Sequence, residues 1–301
     1  MDNLSLVVSS CDKYSSAWRP YFELLKIYWP EHPEDIHLIS ETKKYVDNQL
    51  NIINHNFPKS YTWSERLYET LKSIKSEYIL FSLEDFFLMS NVDQGAIDKC
   101  IKWMSTYPKI AQCRLSSRNT VNLGKYWDNS SSFRIAGPDV PFRLDTQVAI
   151  WRKDDLINFI DKKEDPWQFE GWGTERIKAS DKIFLWHYQE NENDITKMLF
   201  PYFVDPKMGY GIAWGHWLWN NKRWFKKNGI RDVKFWKLGV LSKKAVDHRY
   251  KYVYNKANNE KNILRLYYNL CRQAKYAWHN LMSMGFKEGL LKSLKTLKKH
   301  I

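Results

Sequence analysis

Tyr78-Ile79-Leu80-Phe81-Ser82-Leu83-Glu84-Asp85 is the stretch on which the fold turns. Its apolar run is too short for a helix and reads as a buried strand that runs straight into two carboxylates. Upstream, Thr62-Trp63-Ser64-Glu65 is a capping box, and Trp63, Leu67, Leu71 and Ile74 follow at helical spacing. Further back, 5–10 reads as a strand, Cys11-Asp12-Lys13-Tyr14 as a polar turn, and 17–29 as a helix closed by Pro30. Strands are expected at 35–39 and 51–54. Downstream, a helix starts near Asp93 with Ile97, Cys100, Ile101 and Met104 on one face. Strand and helix therefore alternate, the pattern of an α/β layer fold with a mainly parallel sheet flanked by helices.

The remainder is less regular. Residues 110–115 are strand-like and 118–141 loop-rich. Over 142–151, Phe142, Leu144, Val148 and Ile150 alternate with Arg143, Asp145 and Gln147, which predicts a strand with one polar face. Asp165-Pro166 looks like an N-cap with proline at the first helical position, opening a helix through Glu175. Another strand is expected at 182–187. Beyond about Lys222 the chain turns basic and helical.

Charge draws a boundary there. Residues 222–301 hold 21 Lys and Arg against 4 Asp and Glu, while 1–221 hold 26 against 30; together they give the net +13. This predicts a catalytic domain over 1–221 and a basic helical extension over 222–301, whose surface suits a polyanion. With 44% apolar and 16% aromatic residues the chain is not disordered. Its four cysteines form no CxxC, which argues against a zinc ribbon or disulfide scaffold and fits a reducing, cytoplasmic setting. The N-terminus has no signal-peptide pattern, and no apolar run reaches the length of a membrane span.

Ligands of open α/β sheets bind at the carboxyl ends of strands. Two polar turns fall there: Cys11–Tyr14 and Glu84-Asp85. Adjacent carboxylates leaving an apolar strand must be solvated, capped by hydrogen bonds or bound to metal. Mg²⁺ and Mn²⁺ take one or two protein carboxylates and leave their other positions to water and phosphate. Between Trp214 and Trp224 lie four Trp with Lys222 and Arg223, rings able to stack on sugars and cations able to hold pyrophosphate, though such rings also build cores.

Ser9-Ser10-Cys11-Asp12-Lys13-Tyr14, Trp63-Ser64-Glu65-Arg66-Leu67 and Leu83-Glu84-Asp85-Phe86-Phe87 together resemble bacterial glycosyltransferases of the GT-A fold that act in capsule, exopolysaccharide and O-antigen assembly. Blocks at 166–170 and 209–215 look like later parts of the same pattern, and the resemblance covers about residues 4–235. It implies that Cys11 and Asp12 contact the nucleobase and ribose, that Arg66 faces the nucleotide, and that Glu84-Asp85 stand where the family carries its metal motif. Phe87 replaces the final acid of a full Asp-x-Asp, which leaves Asp85 as the metal ligand, with His187 as a second. An inverting enzyme needs a carboxylate as general base. Glu170 is the candidate and Asp145 the reserve; Arg143 and Gln147 share the expected polar face with Asp145 and suit substrate hydroxyls.

The implied reaction moves a hexose from a nucleoside diphosphate sugar, UDP by family frequency, to a glycan or lipid-linked acceptor, with Mn²⁺ or Mg²⁺ as cofactor. The stripe Leu290, Leu291, Leu294, Leu297 and Ile301 opposite lysines suggests a helix in the membrane interface, and residues 262–301 as a dock on anionic lipid at the inner face of the cell membrane. Two alternatives remain: a nucleic-acid-binding protein using the basic region, which carries no known nucleic-acid motif, and a sugar nucleotidyltransferase.

Overall fold

The computed structural model describes residues 3–117, 123–128, 132–191, 194–203, 211–213 and 215–245. In chain order these form β1 (Leu4–Ser9), α1 (Trp18–Tyr28), β2 (Asp35–Ser40), β3 (Asn51–Asn56), α2 (Trp63–Ser73), β4 (Tyr78–Leu83), α3 (Gln94–Thr106) and β5 (Ile110–Arg114). They continue with β6 (Phe133–Ile135), β7 (Ala149–Arg152), α4 (Lys153–Phe159), α5 (Pro166–Arg176), β8 (Ile183–His187), β9 (Ile212–Ala213), β10 (His216–Leu218), α6 (Asn221–Lys227) and β11 (Val240–Leu241).

The eight-stranded sheet runs β3-β2-β1-β4-β7-β5-β8-β6. Strands β1 to β4 are parallel, as is β5 with β8, but β7 is antiparallel to both its neighbours and β6 to β8. The sheet is thus mixed and mostly parallel. Successive residues of a strand face opposite sides, and the core divides accordingly. Leu6, Val8 and Leu80 pack with Trp18 and Phe22 of α1 and Ile97 and Met104 of α3. Val7, Ile79 and Phe81 pack with Leu67 and Leu71 of α2, Leu156 of α4 and Phe169 of α5. Each such buried side chain contributes roughly 1.5–3 kcal/mol, and a Leu80→Ala change at this sandwiched position removes about 2–5 kcal/mol.

Local chemistry sets the helix starts. Thr62 accepts from the Glu65 N–H, Asp93 from Ala96, and Asp165 forms a capping box with Gln168 ahead of Pro166. One expected strand is shorter than its alternation suggests: β7, Ala149–Arg152, takes in only 149–151 of the expected 142–151. Phe142 sits at φ 56°, in the left-handed region. The Arg143 side chain is buried and donates to the carbonyls of Ala136, Ile177 and Lys182, which ties the segment into a loop.

The first compact unit runs from Met1 to Leu241, past the break expected at 221. Within it, Phe225 of α6 packs edge-on against Phe87 at 4.9 Å and Trp217 of β10 stacks on Phe87 at 5.7 Å. The charge boundary therefore misplaces the fold boundary: cations on α6 face out while its apolar side completes the core. The expected helices of 246–301, including the stripe at 290–301, lie outside the described residues. No described helix is long and apolar enough to cross a membrane.

Candidate functional site

The carboxyl edge of the parallel strands carries the first centre. Ser9 of β1 pairs with Leu83 of β4, so the turn Cys11–Tyr14 and the pair Glu84-Asp85 leave the sheet side by side. Both carboxylates are buried. Burial and the charge of Asp85 push Glu84 well above the usual carboxyl range, against the Ser10 hydroxyl and a backbone hydrogen bond. Burial likewise pushes Asp85 up to about 7, against hydrogen bonds that include the Ile212 N–H. Burial, then Glu84, raises Cys11 to about 11. Tyr14 is raised by burial and by Cys11, Glu84 and Asp85, so its phenol shares their field.

A hairpin from late in the unit closes over this pair. The Ile212 N–H donates to Asp85 Oδ2 at 3.3 Å, and the Gly211 N–H to the Asp85 carbonyl at 3.3 Å. A Cβ on Gly211 would lie 2.3 Å from the Phe87 ring and 2.9 Å from the Asp85 carbonyl oxygen, so only glycine permits this approach. Gly215 has φ 76°, and a Cβ there would meet Lys13 Nζ at 3.0 Å. The Asn221 amide holds the Gly211 carbonyl, fixing the hairpin to the start of α6.

A second centre lies one strand over. Asp145 precedes β7, whose Ala149 pairs with Phe81 of β4, so Asp145 and Asp85 stand beyond the same edge on adjoining strands. Asp145 Oδ2 meets the buried Arg114 guanidinium at 2.9 Å, and Oδ1 accepts from the Gln147 N–H at 3.2 Å. Burial carries Asp145 up to about 7, the Arg114 charge opposing and Glu170 adding to the rise. Glu170 Oε1 accepts from the Thr146 N–H at 2.9 Å and its hydroxyl at 2.6 Å. Among the described residues Oε2 takes no hydrogen bond. Glu170 lies beyond the first turn of α5, held by Thr146 rather than by the helix end. Trp167, one turn before it, is 77% exposed.

Tyr202 joins the centres: its ring stacks on Phe86 at 4.5 Å, and its hydroxyl donates to the Gln147 side-chain oxygen at 2.8 Å. Tyr202 carries no local sequence signal, since only the chain's long return brings it to the edge, whereas the capping hairpin falls in the block at 209–215 that the sequence singles out.

Other expected residues are placed differently. Asp12 accepts from the Thr42 N–H and the Lys43 N–H, each at 3.0 Å, and from the Thr42 hydroxyl at 2.5 Å. Burial opposes them, but these bonds pull Asp12 down to about 2. Its carboxylate thus orders the loop after β2. Arg66 pairs with Glu41, whose other oxygen accepts the Asp12 N–H, so Glu41 is a hub that sequence reading missed. Arg143 is part of the scaffold and does not line the polar edge, whereas Gln147 does.

His187 stands apart from Asp85. Strand β8 is three spacings from β4, about 14 Å at the usual strand separation. Its Nδ1 lies 2.9 Å from the Ser132 hydroxyl and Nε2 3.1 Å from the Lys197 carbonyl. Lys222 and Arg223 are exposed on α6, and no described contact joins them to the carboxylates. Trp217 is buried in the core, so it adds no face to a sugar platform; Trp214 lies outside the described residues.

The donor set at Glu84-Asp85 fits a hard divalent cation. Two buried carboxylates supply oxygen ligands, and among the described residues no cationic side chain pairs with either. Nor, among the described residues, does a group of three His, Cys, Asp or Glu assemble anywhere. The protein would then offer one or two carboxylates, a share that Mg²⁺ or Mn²⁺ can accept.

No protein-family model matches the sequence, and no curated protein matches it. Among solved structures, similarity extends to a cytidylyltransferase from Leptospira borgpetersenii serovar Hardjo-bovis, at 10% identity over 64% of this chain and 78% of that one, with a TM-score of 0.39. It extends to S. aureus TarS at 13% identity over 62% of this chain and 37% of that one, TM-score 0.41, so this chain spans well under half of that protein. A third is glucosyl-3-phosphoglycerate synthase from Mycobacterium tuberculosis in complex with Mn²⁺ and UDP-glucose, at 10% identity over 37% and 42%, TM-score 0.27. Likenesses this distant carry no activity, substrate or metal over to this chain.

Proposed function

We propose that the protein is a glycosyltransferase that moves a sugar from a nucleoside diphosphate sugar to a hydroxyl of a glycan. The observation that carries this reading is the pairing of two acidic centres on adjoining strand ends. Glu84-Asp85 lack a cationic partner among the described residues, and Glu170 has one oxygen anchored and the other unbonded. The first would hold a divalent cation, Asp85 as ligand with Glu84 beside it, and that cation would neutralise the departing diphosphate. Glu170 Oε2 takes the proton of the acceptor hydroxyl as its oxygen bonds to the sugar's anomeric carbon. The bond from that carbon to the diphosphate oxygen breaks, and its electron pair leaves with the nucleotide. Thr146 holds Glu170 in place, and general-base action of this kind contributes about 10²–10⁴-fold.

The nucleotidyltransferase alternative leaves Glu170 without a task, because its nucleophile, a sugar phosphate, is already an anion that needs no base, whereas Glu170 is anchored by one oxygen with the other unbonded among the described residues. The test is a panel of UDP-, GDP- and dTDP-sugars with Mn²⁺ and glycan acceptors, run beside nucleoside triphosphates with sugar 1-phosphates. Release of nucleoside diphosphate from a sugar nucleotide supports the proposal; pyrophosphate release from a triphosphate overturns it.

A further inference from the structure

The lobe built by β9, β10, α6 and β11 carries an unbalanced charge. Residues 211–241 contain seven Lys and Arg and one acid, Asp232, whereas 1–210 contain 26 against 30. All seven cations are exposed, and none forms an ion pair among the described residues. On α6, Lys222, Arg223, Lys226 and Lys227 occupy one arc, opposite the buried Asn221 and Phe225. Inward contacts fix that arc outward: the Tyr28 hydroxyl bonds Asn228 at 2.6 Å and the Trp224 indole N–H donates to the Leu88 carbonyl at 3.0 Å.

Apolar surface accompanies the charge. Trp236 is 78% exposed, Val240 48% and Trp219 40%. Concentrated unpaired cations repel one another, so such a surface is stabilised by a polyanion. Lys237 Nζ lies 6.0 Å from the exposed Trp236 ring, and a lysine beside a bare tryptophan matches the headgroup region of an anionic bilayer, where phosphates meet the cations and indoles sit at the interface. Single-stranded nucleic acid would also use the Trp rings, but a bilayer covers the aliphatic Val240 as well.

We infer that the exposed side of residues 219–240 forms a docking face for an anionic lipid bilayer, lying within the catalytic unit itself and independent of the basic segment that follows. The test is flotation of the full chain with vesicles of phosphatidylcholine alone or with phosphatidylglycerol. The variant Lys226→Glu/Lys227→Glu/Lys237→Glu is compared with Lys292→Gln/Lys295→Gln/Lys298→Gln/Lys299→Gln. Wild type is expected to bind only the anionic vesicles, less so in high salt. At roughly fivefold per lysine, the lobe variant should bind at least about 100-fold more weakly, with unchanged melting temperature and donor turnover. Trp236→Ala should weaken binding with little effect on its salt dependence. The inference is overturned if the lobe variant binds like wild type, whether or not the other variant does. It is also overturned if wild type prefers a single-stranded oligonucleotide to the vesicles at equal salt. Because vesicle binding needs no turnover, its failure is separable from failure of the proposed reaction.

Discussion

The Ile212 N–H donates to the Asp85 carboxylate at 3.3 Å, so a hairpin well over a hundred residues downstream in the chain rests directly on the candidate metal ligand. The same carboxylate is buried beside Glu84. Holding two carboxylates there is costly to the bare protein and useful to one that receives a cation.

That cost sets the first expectation. Asp85→Asn removes a buried charge while keeping an oxygen for the Ile212 N–H. Near pH 8, above the value of about 7 to which burial lifts Asp85, the variant should be at least as stable as wild type in metal-free buffer. Mn²⁺ should raise the melting temperature of wild type and not of the variant. A destabilised variant, or equal metal response in both, contradicts the assignment.

Glu170 and Asp145 should separate cleanly. Glu170→Gln is expected to lower transfer by about 10²–10⁴-fold with nucleotide affinity retained. Asp145→Asn keeps an oxygen for the Gln147 N–H, and because burial already lifts Asp145 to about 7, urea unfolding near pH 6 should change little and transfer should be largely retained. If Asp145→Asn is stable but inactive while Glu170→Gln is active, the base is Asp145.

Gly211→Ala puts a methyl group into the Phe87 ring and against the Asp85 carbonyl. The hairpin must lift, so donor hydrolysis should fall at least tenfold while far-ultraviolet circular dichroism stays unchanged. Full activity would show that the hairpin plays no part in the site.

His37 supplies a pH dependence away from the site. Its Nδ1 lies 2.8 Å from His55 Nε2, and burial, then His55, lowers it from 6.5 to about 4. Below pH 6.5 the unfolded chain takes up a proton that the folded chain refuses, so this contribution to stability is full above 6.5 and falls as pH drops towards 4. The loss should reach about 2–3 kcal/mol. Urea unfolding of wild type and His37→Gln across that range should converge as pH falls; parallel curves would contradict it.

The alternation that sets the first half of the fold is local and could be read from residues: β4 ends where its apolar run ends, and Thr62, Asp93 and Asp165 each cap the expected helix. What could not be read was long-range. The alternation of 142–151 mimics a strand, but Arg143 seeks three carbonyls across the fold and bends the chain. Residue type singled out Asp12 and Arg66, yet Thr42, Lys43 and Glu41 engage them through contacts that only the β2 edge provides. Charge drew a boundary at 221, whereas the packing of Phe225 and Trp217 on Phe87 carries the unit to Leu241.

The most direct measurement is release of nucleoside diphosphate from a UDP-sugar by wild type and Asp85→Asn, each with Mn²⁺ and with EDTA. The expected result is turnover by wild type that needs Mn²⁺, and none by Asp85→Asn in either buffer. Equal turnover by wild type in EDTA, or full turnover by Asp85→Asn, would contradict the assignment of the Glu84-Asp85 pair to a metal-held sugar nucleotide.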